Sequence, residues 1–145
     1  MKDESAKHIV SGGTSATILS RELGRPLRVS MDYSDPDIPP IAFMEGIDLV
    51  TEGVLTLRKA IELLKRYLIE CDLSSEFFSE LDKKNGASMI AKILIEDCTE
   101  LHMFVGTAAN SATRIQGWRL IWEIRQKPGQ TAKRSKSKVW ERKLR

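Results

Sequence analysis

At 145 residues, 41% hydrophobic and 30% charged, the chain is long enough for one domain with a sizeable core and too balanced in composition to be a disordered or fibrous protein. The net charge of +3 is unevenly laid out: residues 114–145 carry 11 Lys+Arg against 2 Asp+Glu, and residues 1–113 carry 12 against 18, an acidic body with a basic tail. No apolar run reaches the roughly 20 residues of a membrane-spanning helix and MKDESAK opens no signal peptide, so a cytoplasmic protein without membrane contact is expected.

In chain order, His8, Ile9 and Val10 form a short apolar run that stops at Ser11-Gly12-Gly13-Thr14-Ser15, after which Ala16, Ile18, Leu19 and Leu23 recur at helical spacing. That pattern predicts strand, tight glycine turn and helix. Gly24 and Pro26 end the helix, and Leu27-Arg28-Val29-Ser30-Met31 alternates as a second strand. DYSDPDIPP at 32–40 is a loop, since its three prolines remove donors and restrict their neighbours. Ile47–Thr51 is a third strand, broken at Glu52-Gly53, and Leu55, Leu57, Ala60, Ile61, Leu64 and Leu68 then form a helical stripe, so the strand-glycine-helix pattern occurs twice. Ser74 or Ser75 caps a short helix around Phe77, Phe78 and Leu81 in an otherwise polar connection. A helix from Ala87 to about Asp97 and a strand over 101–105 close the unit.

Strands at 8–10, 27–31, 47–51 and 101–105 alternating with helices predict a small three-layer α/β domain over residues 5–112, its sheet mostly parallel with flanking helices. Residues 113–145 are expected outside it as a basic C-terminal tail, partly helical or disordered, with Ile115, Trp118, Leu120, Ile121, Trp122 and Ile124 on one amphipathic helix.

Glycines between a strand and a helix let backbone amides approach an anion where the helix dipole favours it, and Thr14 and Ser15 add hydroxyls. The loop is neither GxGxxG nor GxxxxGK[ST] and holds no lysine; the same residues also make ordinary turns and caps. In a parallel sheet the junction at Glu52-Gly53 would share the carboxyl edge with Gly12-Gly13. The candidate ligand-binding residues are therefore Gly12, Gly13, Thr14, Ser15, Glu45, Asp48, Glu52 and Gly53, with the carboxylates as acceptors for neutral or cationic parts of a phosphorylated small molecule or nucleotide.

Other chemistry is sparse. Cys71 and Cys98 show no CxxC and no nearby histidine pair, which favours reduced, buried or half-buried thiols over zinc. His8 and His102 lack a partner at catalytic spacing, and no GxSxG elbow accompanies the serines, so no catalytic residue, metal site or cofactor is assigned. The tail, with Trp118, Trp122 and Trp140 among its cations, gives an alternative function in nucleic-acid binding through residues 114–145.

The strings HIVSGGTSATILSRELGRPL, DPDIPPIAFMEGIDLVTEGVLTL and GASMIAKILIEDCTELHMFVGTAAN together resemble the region C-terminal to the catalytic domain in bacterial SpoIIE-family (PPM-type) serine phosphatases, over about three-quarters of the chain. The resemblance implies an appended α/β unit, with a phosphatase domain or its substrate as a protein partner. Two features depart from the family: the metal-binding aspartates of the phosphatase domain do not precede Met1, and Asn110-Ser111-Ala112-Thr113 stands where the family continues Asn-Pro-Ala-His. A truncated or frame-shifted gene product explains both departures; a separately encoded domain working with a partner is the other explanation. Either way the expected role is a non-catalytic regulatory or ligand-binding module.

Overall fold

The computed structural model describes residues 6–31, 35–106 and 119–125. In chain order they form β1 (Ala6–Ser11), α1 (Gly13–Leu23), β2 (Arg28–Val29), β3 (Ala42–Met44), β4 (Ile47–Thr51), α2 (Val54–Ile69), α3 (Ser75–Leu81), α4 (Gly86–Lys92), β5 (Glu100–Gly106) and β6 (Arg119–Arg125); α4 runs on into a π-helical turn over Ile93–Asp97. Local chemistry sets several of the ends. Gly24 takes φ 63°, and the adjoining turn returns the Gly24 amide to the Arg21 carbonyl and the Arg25 amide to the Ser20 carbonyl, closing α1 ahead of Pro26. Ser74 accepts from the Phe77 amide at 3.3 Å and Asn85 from the Ser88 amide at 2.8 Å, so both short helices begin on a side-chain cap.

The six strands form one sheet in the order β2-β3-β4-β1-β6-β5. The α/β class holds, but the sheet is mixed rather than mostly parallel: β1 and β4 are the parallel pair, and β1–β6, β2–β3, β3–β4 and β5–β6 are antiparallel. The cause lies after α1. The chain does not return beside β1 but enters at the far edge as the two-residue β2, then works inward through β3 and a tight turn at Glu45-Gly46, where Gly46 has φ 81°. A two-residue turn ending in a left-handed glycine joins antiparallel neighbours, and Glu45-Gly46 was its sequence signal.

The other difference is β6. Arg119–Arg125 is a strand, not an amphipathic helix, and it pairs along its whole length with β1 on one side (Ala6↔Arg125 to Ser11↔Leu120) and β5 on the other (Glu100↔Arg125 to Gly106↔Arg119). The sheet therefore reaches beyond residue 112, and this part of the basic segment belongs to its interior. Residues 113–118 and 126–145, with Trp118 and Trp140, lie outside the described residues, as do 32–34 of the proline loop and the Asn110–Thr113 departure.

Strand parity divides the core into the three expected layers. Val10 and Val50 point to one face, where they pack with Ala42, Met44 and Ala16 of α1. Their neighbours Ile9 and Leu49 point to the other, onto Leu57 and Ala60 of α2 and Ala87, Ile90 and Leu94 of α4 and the π turn. Each fully buried aliphatic chain of this kind stabilises the fold by roughly 1.5–3 kcal/mol. A third cluster, Leu63, Tyr67, Phe77, Leu81 and Ala91, seats α3 against α2 and α4.

Glu80 closes the α2–α3 seam. Its carboxylate accepts from Arg66 at 2.7 Å and pairs with Lys59 at 3.3 Å, while the Arg66 guanidinium lies 5.2 Å from the Phe77 ring centroid. Burial alone would raise the Glu80 pKa; the hydrogen bonds and charges of Arg66 and Lys59 outweigh it and hold the group below its ordinary 4.5. A depressed carboxylate contributes stability above its unfolded pKa and loses it as pH falls through the folded one. Glu80→Gln is expected to cost about 1 kcal/mol at neutral pH, and the difference between wild type and variant should shrink as pH drops below 4.5. Urea melts of both proteins across that range measure it; a difference that stays constant with pH refutes it.

Candidate functional site

β1 and β4 run parallel as neighbours, with Ile9↔Leu49, Val10↔Val50 and Ser11↔Thr51 in register, so both strands end at one edge of the sheet. The two following helices leave that edge toward opposite faces, α1 over Val10 and Val50, α2 over Ile9 and Leu49. Such a divergence is a topological switch point, and the crevice outside the carboxyl ends of its strands is where open α/β sheets bind ligands.

The glycines make the junction compact. The Gly12 amide donates to the Thr51 carbonyl at 2.9 Å, and a Cβ placed on Gly53 would stand 3.8 Å from the Gly12 Cα. Gly12 has φ 120°, a region that side chains rarely tolerate, and this conformation turns the chain from β1 into α1 within one residue. The first intrahelical bonds run from the Ala16 amide to the Gly12 carbonyl (3.0 Å) and from the Leu57 amide to the Gly53 carbonyl (3.1 Å). The amides of Gly13, Thr14 and Ser15 in α1, and of Val54, Leu55 and Thr56 in α2, thus have no carbonyl within their helices. Neither helix carries a side-chain cap or an acidic residue in its first turn. Two positive helix ends meet there, and the acidic residue beside them, Glu52, stands just outside α2 rather than within its first turn.

Behind the amides lies a set of hydroxyls. Ser11 and Thr51, the last residues of their strands, are buried, and Thr51 Oγ1 donates to Ser11 Oγ at 3.1 Å. Among the described residues Ser15 Oγ and Thr56 Oγ1 are buried without a hydrogen-bond partner, one in the first turn of each helix. A buried hydroxyl left unsatisfied costs about 1–3 kcal/mol. Because Cα–Cβ bonds tilt toward a helix's N-terminus, both lean to the end from which the free amides point.

Of the residues expected from sequence, Gly12, Gly13, Thr14, Ser15, Glu52 and Gly53 are brought together at this edge, with Thr14 and Glu52 exposed. Glu45 and Asp48 are not. Glu45 sits in the β3–β4 turn, where its carbonyl accepts from Arg25 at 2.7 Å, and Asp48 accepts from the His8 backbone amide at 2.7 Å. Both lie at the amino end of β4, and Asp48 is roughly 10 Å of strand from Thr51. Asp48 serves the sheet instead, taking up the His8 amide. Ser11, Thr51 and Thr56 were missed in sequence; their signal was a hydroxyl residue at the end of each strand and in the first turn of each helix.

His102 Nε2 lies 3.0 Å from Glu100 Oε1 on β5, and Lys7 pairs with Asp97 at 2.6 Å. Cys98 is half-buried as expected, whereas Cys71 is exposed, just beyond the end of α2. Among the described residues no group of three His, Cys, Asp or Glu is placed to hold a metal, and no helix is long and apolar enough to cross a membrane. In comparisons with protein-family models, curated proteins and solved structures, the chain matches none of them.

Proposed function

We propose that this chain is a non-catalytic regulatory module that binds a small phosphorylated ligand at the switch point between β1 and β4. The observation that carries the reading is the meeting of Gly12 and Gly53, which sets two uncapped helix N-termini side by side. A phosphate would take the amides of Gly13–Ser15 and the Thr14 hydroxyl, with α2 adding the amides of Val54–Thr56. Glu52 would contact a neutral or cationic part of the same ligand, since a carboxylate against a phosphate is repulsive unless a cation stands between them. Descent from the accessory region of SpoIIE-family serine phosphatases, in a bacterial cytoplasm with a phosphatase domain as partner, rests on the quoted motifs and belongs to the same reading.

The test is a thermal-shift screen of phosphorylated metabolites and nucleotides, followed by calorimetry on the hits. A ligand present at about 100 times its dissociation constant stabilises by about 2.7 kcal/mol, which moves the midpoint by several degrees. No shift from any phosphorylated compound, with shifts confined to uncharged or cationic ones, removes the phosphate reading. Reproducible Mn²⁺-dependent release of phosphate from phosphoserine peptides, abolished by chelator, removes the non-catalytic one.

A further inference from the structure

Helix α2 carries an apolar seam that the described residues leave exposed. Val54, Ile61 and Leu68 follow one another at seven-residue spacing, which places them on a single stripe, and they are 36%, 48% and 48% exposed. The intervening Leu57 and Leu64 turn into the core beside Ile90 and Leu94. The opposite shoulder of the helix is occupied, because Lys59 and Arg66 reach across to Glu80 of α3. Beside the seam run Arg58 and Lys65, also seven residues apart, each one turn on from an apolar member and both exposed. Among the described residues neither has an ion-pair partner, unlike Lys59 and Arg66 on the same helix. An apolar stripe with an unpaired basic margin in the same register is one half of a two-helix interface.

From this pairing of seam and margin we infer that α2 docks an amphipathic helix of a protein partner, one that presents Leu, Ile, Val or Met at heptad spacing and Glu or Asp along one flank. The charge decides the occupant. A second copy of this chain laid antiparallel on the same seam would set Arg58 and Lys65 against the same two residues of its twin, four cations along one edge, while the nearest anion of that flank, Glu62, already pairs with Lys59 at 3.5 Å. A partner helix with acidic flanks places a carboxylate opposite each. The inference is independent of the ligand at the switch point, although α2 carries both features and Val54 opens the helix that lines that edge.

The experiment uses the full chain and three synthetic helical peptides matching the 16 residues of α2 in length, each with the same Leu/Ile heptad seam and flanks of Glu, Lys or Gln. Fluorescence anisotropy should show the Glu-flanked peptide binding at least about tenfold more tightly than the Lys-flanked one, with the preference fading near about 0.5 M salt. Ile61→Asp should abolish binding, and Arg58→Glu with Lys65→Glu should invert the flank preference. These residues are exposed, and unchanged far-UV circular dichroism and melting midpoints establish that the variants fold. Equal binding of all three peptides, binding unaffected by Ile61→Asp, no binding at all, or self-association of the chain that Ile61→Asp disperses would each overturn the inference.

Discussion

Replacing Gly86 by alanine is expected to destabilise the protein by about 1–3 kcal/mol, the cost of inserting a methyl group into a packed core. Gly86 is the first residue of α4 and is buried where that helix crosses the carboxyl edge of the sheet. A Cβ there would stand 2.8 Å from Thr51 Cγ2, 3.0 Å from Thr56 Cγ2 and 3.4 Å from Ile41 Cγ2. None of these methyls is the free end of a flexible chain. Thr51 is held by its bond to Ser11, and Thr56 is fully buried in the first turn of α2. Alanine would recover roughly 0.5–1 kcal/mol of helix propensity over glycine, which is smaller than the overlap penalty, so the net sign is destabilising. Thr51→Ser removes the nearest methyl while keeping the hydroxyl that bonds Ser11. In the double variant it should restore part of the loss, giving a coupling energy of about 0.5–3 kcal/mol in urea melts. A Gly86→Ala protein as stable as wild type would mean that α4 does not approach the two threonines this closely.

How much of this was readable in the sequence differs from element to element, for identifiable reasons. β4 falls at Ile47–Thr51 as expected, because Gly46 and Gly53 bracket a run whose Leu49 and Val50 pack on opposite faces. β1 and β5 extend one or two residues past their apolar runs, since backbone pairing continues through Lys7 and Glu100 whatever their side chains prefer. β2 shrinks to Arg28–Val29, because at the sheet edge it pairs with the three-residue β3 alone. β6 was misread because a short apolar run such as Leu120-Ile121-Trp122 fits a helix stripe and a strand equally well, and what decides between them is pairing with β1 and β5, residues 109–119 and 13–25 positions away. The parallel character was overestimated for a related reason. Strand-glycine-helix occurs twice, but the chain between the two occurrences folds back through antiparallel β2 and β3, a return whose sequence signal was the Glu45-Gly46 turn alone.

The site was legible to the extent that it depends on backbone. Two glycine junctions at the ends of two strands need only that the strands be parallel neighbours to come together, and β1 and β4 are. The carboxylates were not legible, because Glu45 and Asp48 precede or begin β4 while the ligand edge follows it. Residues three apart in a strand lie roughly 10 Å apart along it, and proximity in sequence to Glu52 carries no weight against that distance. The orphan hydroxyls of Ser15 and Thr56 belong to a different category, since whether a buried hydroxyl finds a partner is settled only by packing.

Gly13→Val is expected to leave the fold intact and to weaken binding of a phosphorylated ligand by about tenfold or more, the loss of about 1.4 kcal/mol or one good charged hydrogen bond. A Cβ at Gly13 meets nothing within 4 Å, so the added side chain projects from the exposed first turn of α1 and disturbs no packed neighbour. Valine and glycine are both indifferent helix formers, and the change in stability should stay within about 1 kcal/mol. The isopropyl group would stand in the open space at the first turn of α1, beside the Thr14 and Ser15 amides through which the proposed phosphate would approach. Gly12→Val provides the contrast: φ 120° at Gly12 is strained for any L-side chain, so that variant should lose about 1–3 kcal/mol of stability with or without ligand. Calorimetric titration of wild type and Gly13→Val with the hits from the thermal-shift screen, alongside urea melts of both glycine variants, separates the two roles. Undiminished affinity in a folded Gly13→Val protein would place the ligand away from the α1 amides. Weakened affinity at unchanged stability fits an anion seated on the first turn of α1, with Gly12 shaping the turn and Gly13 keeping its mouth open.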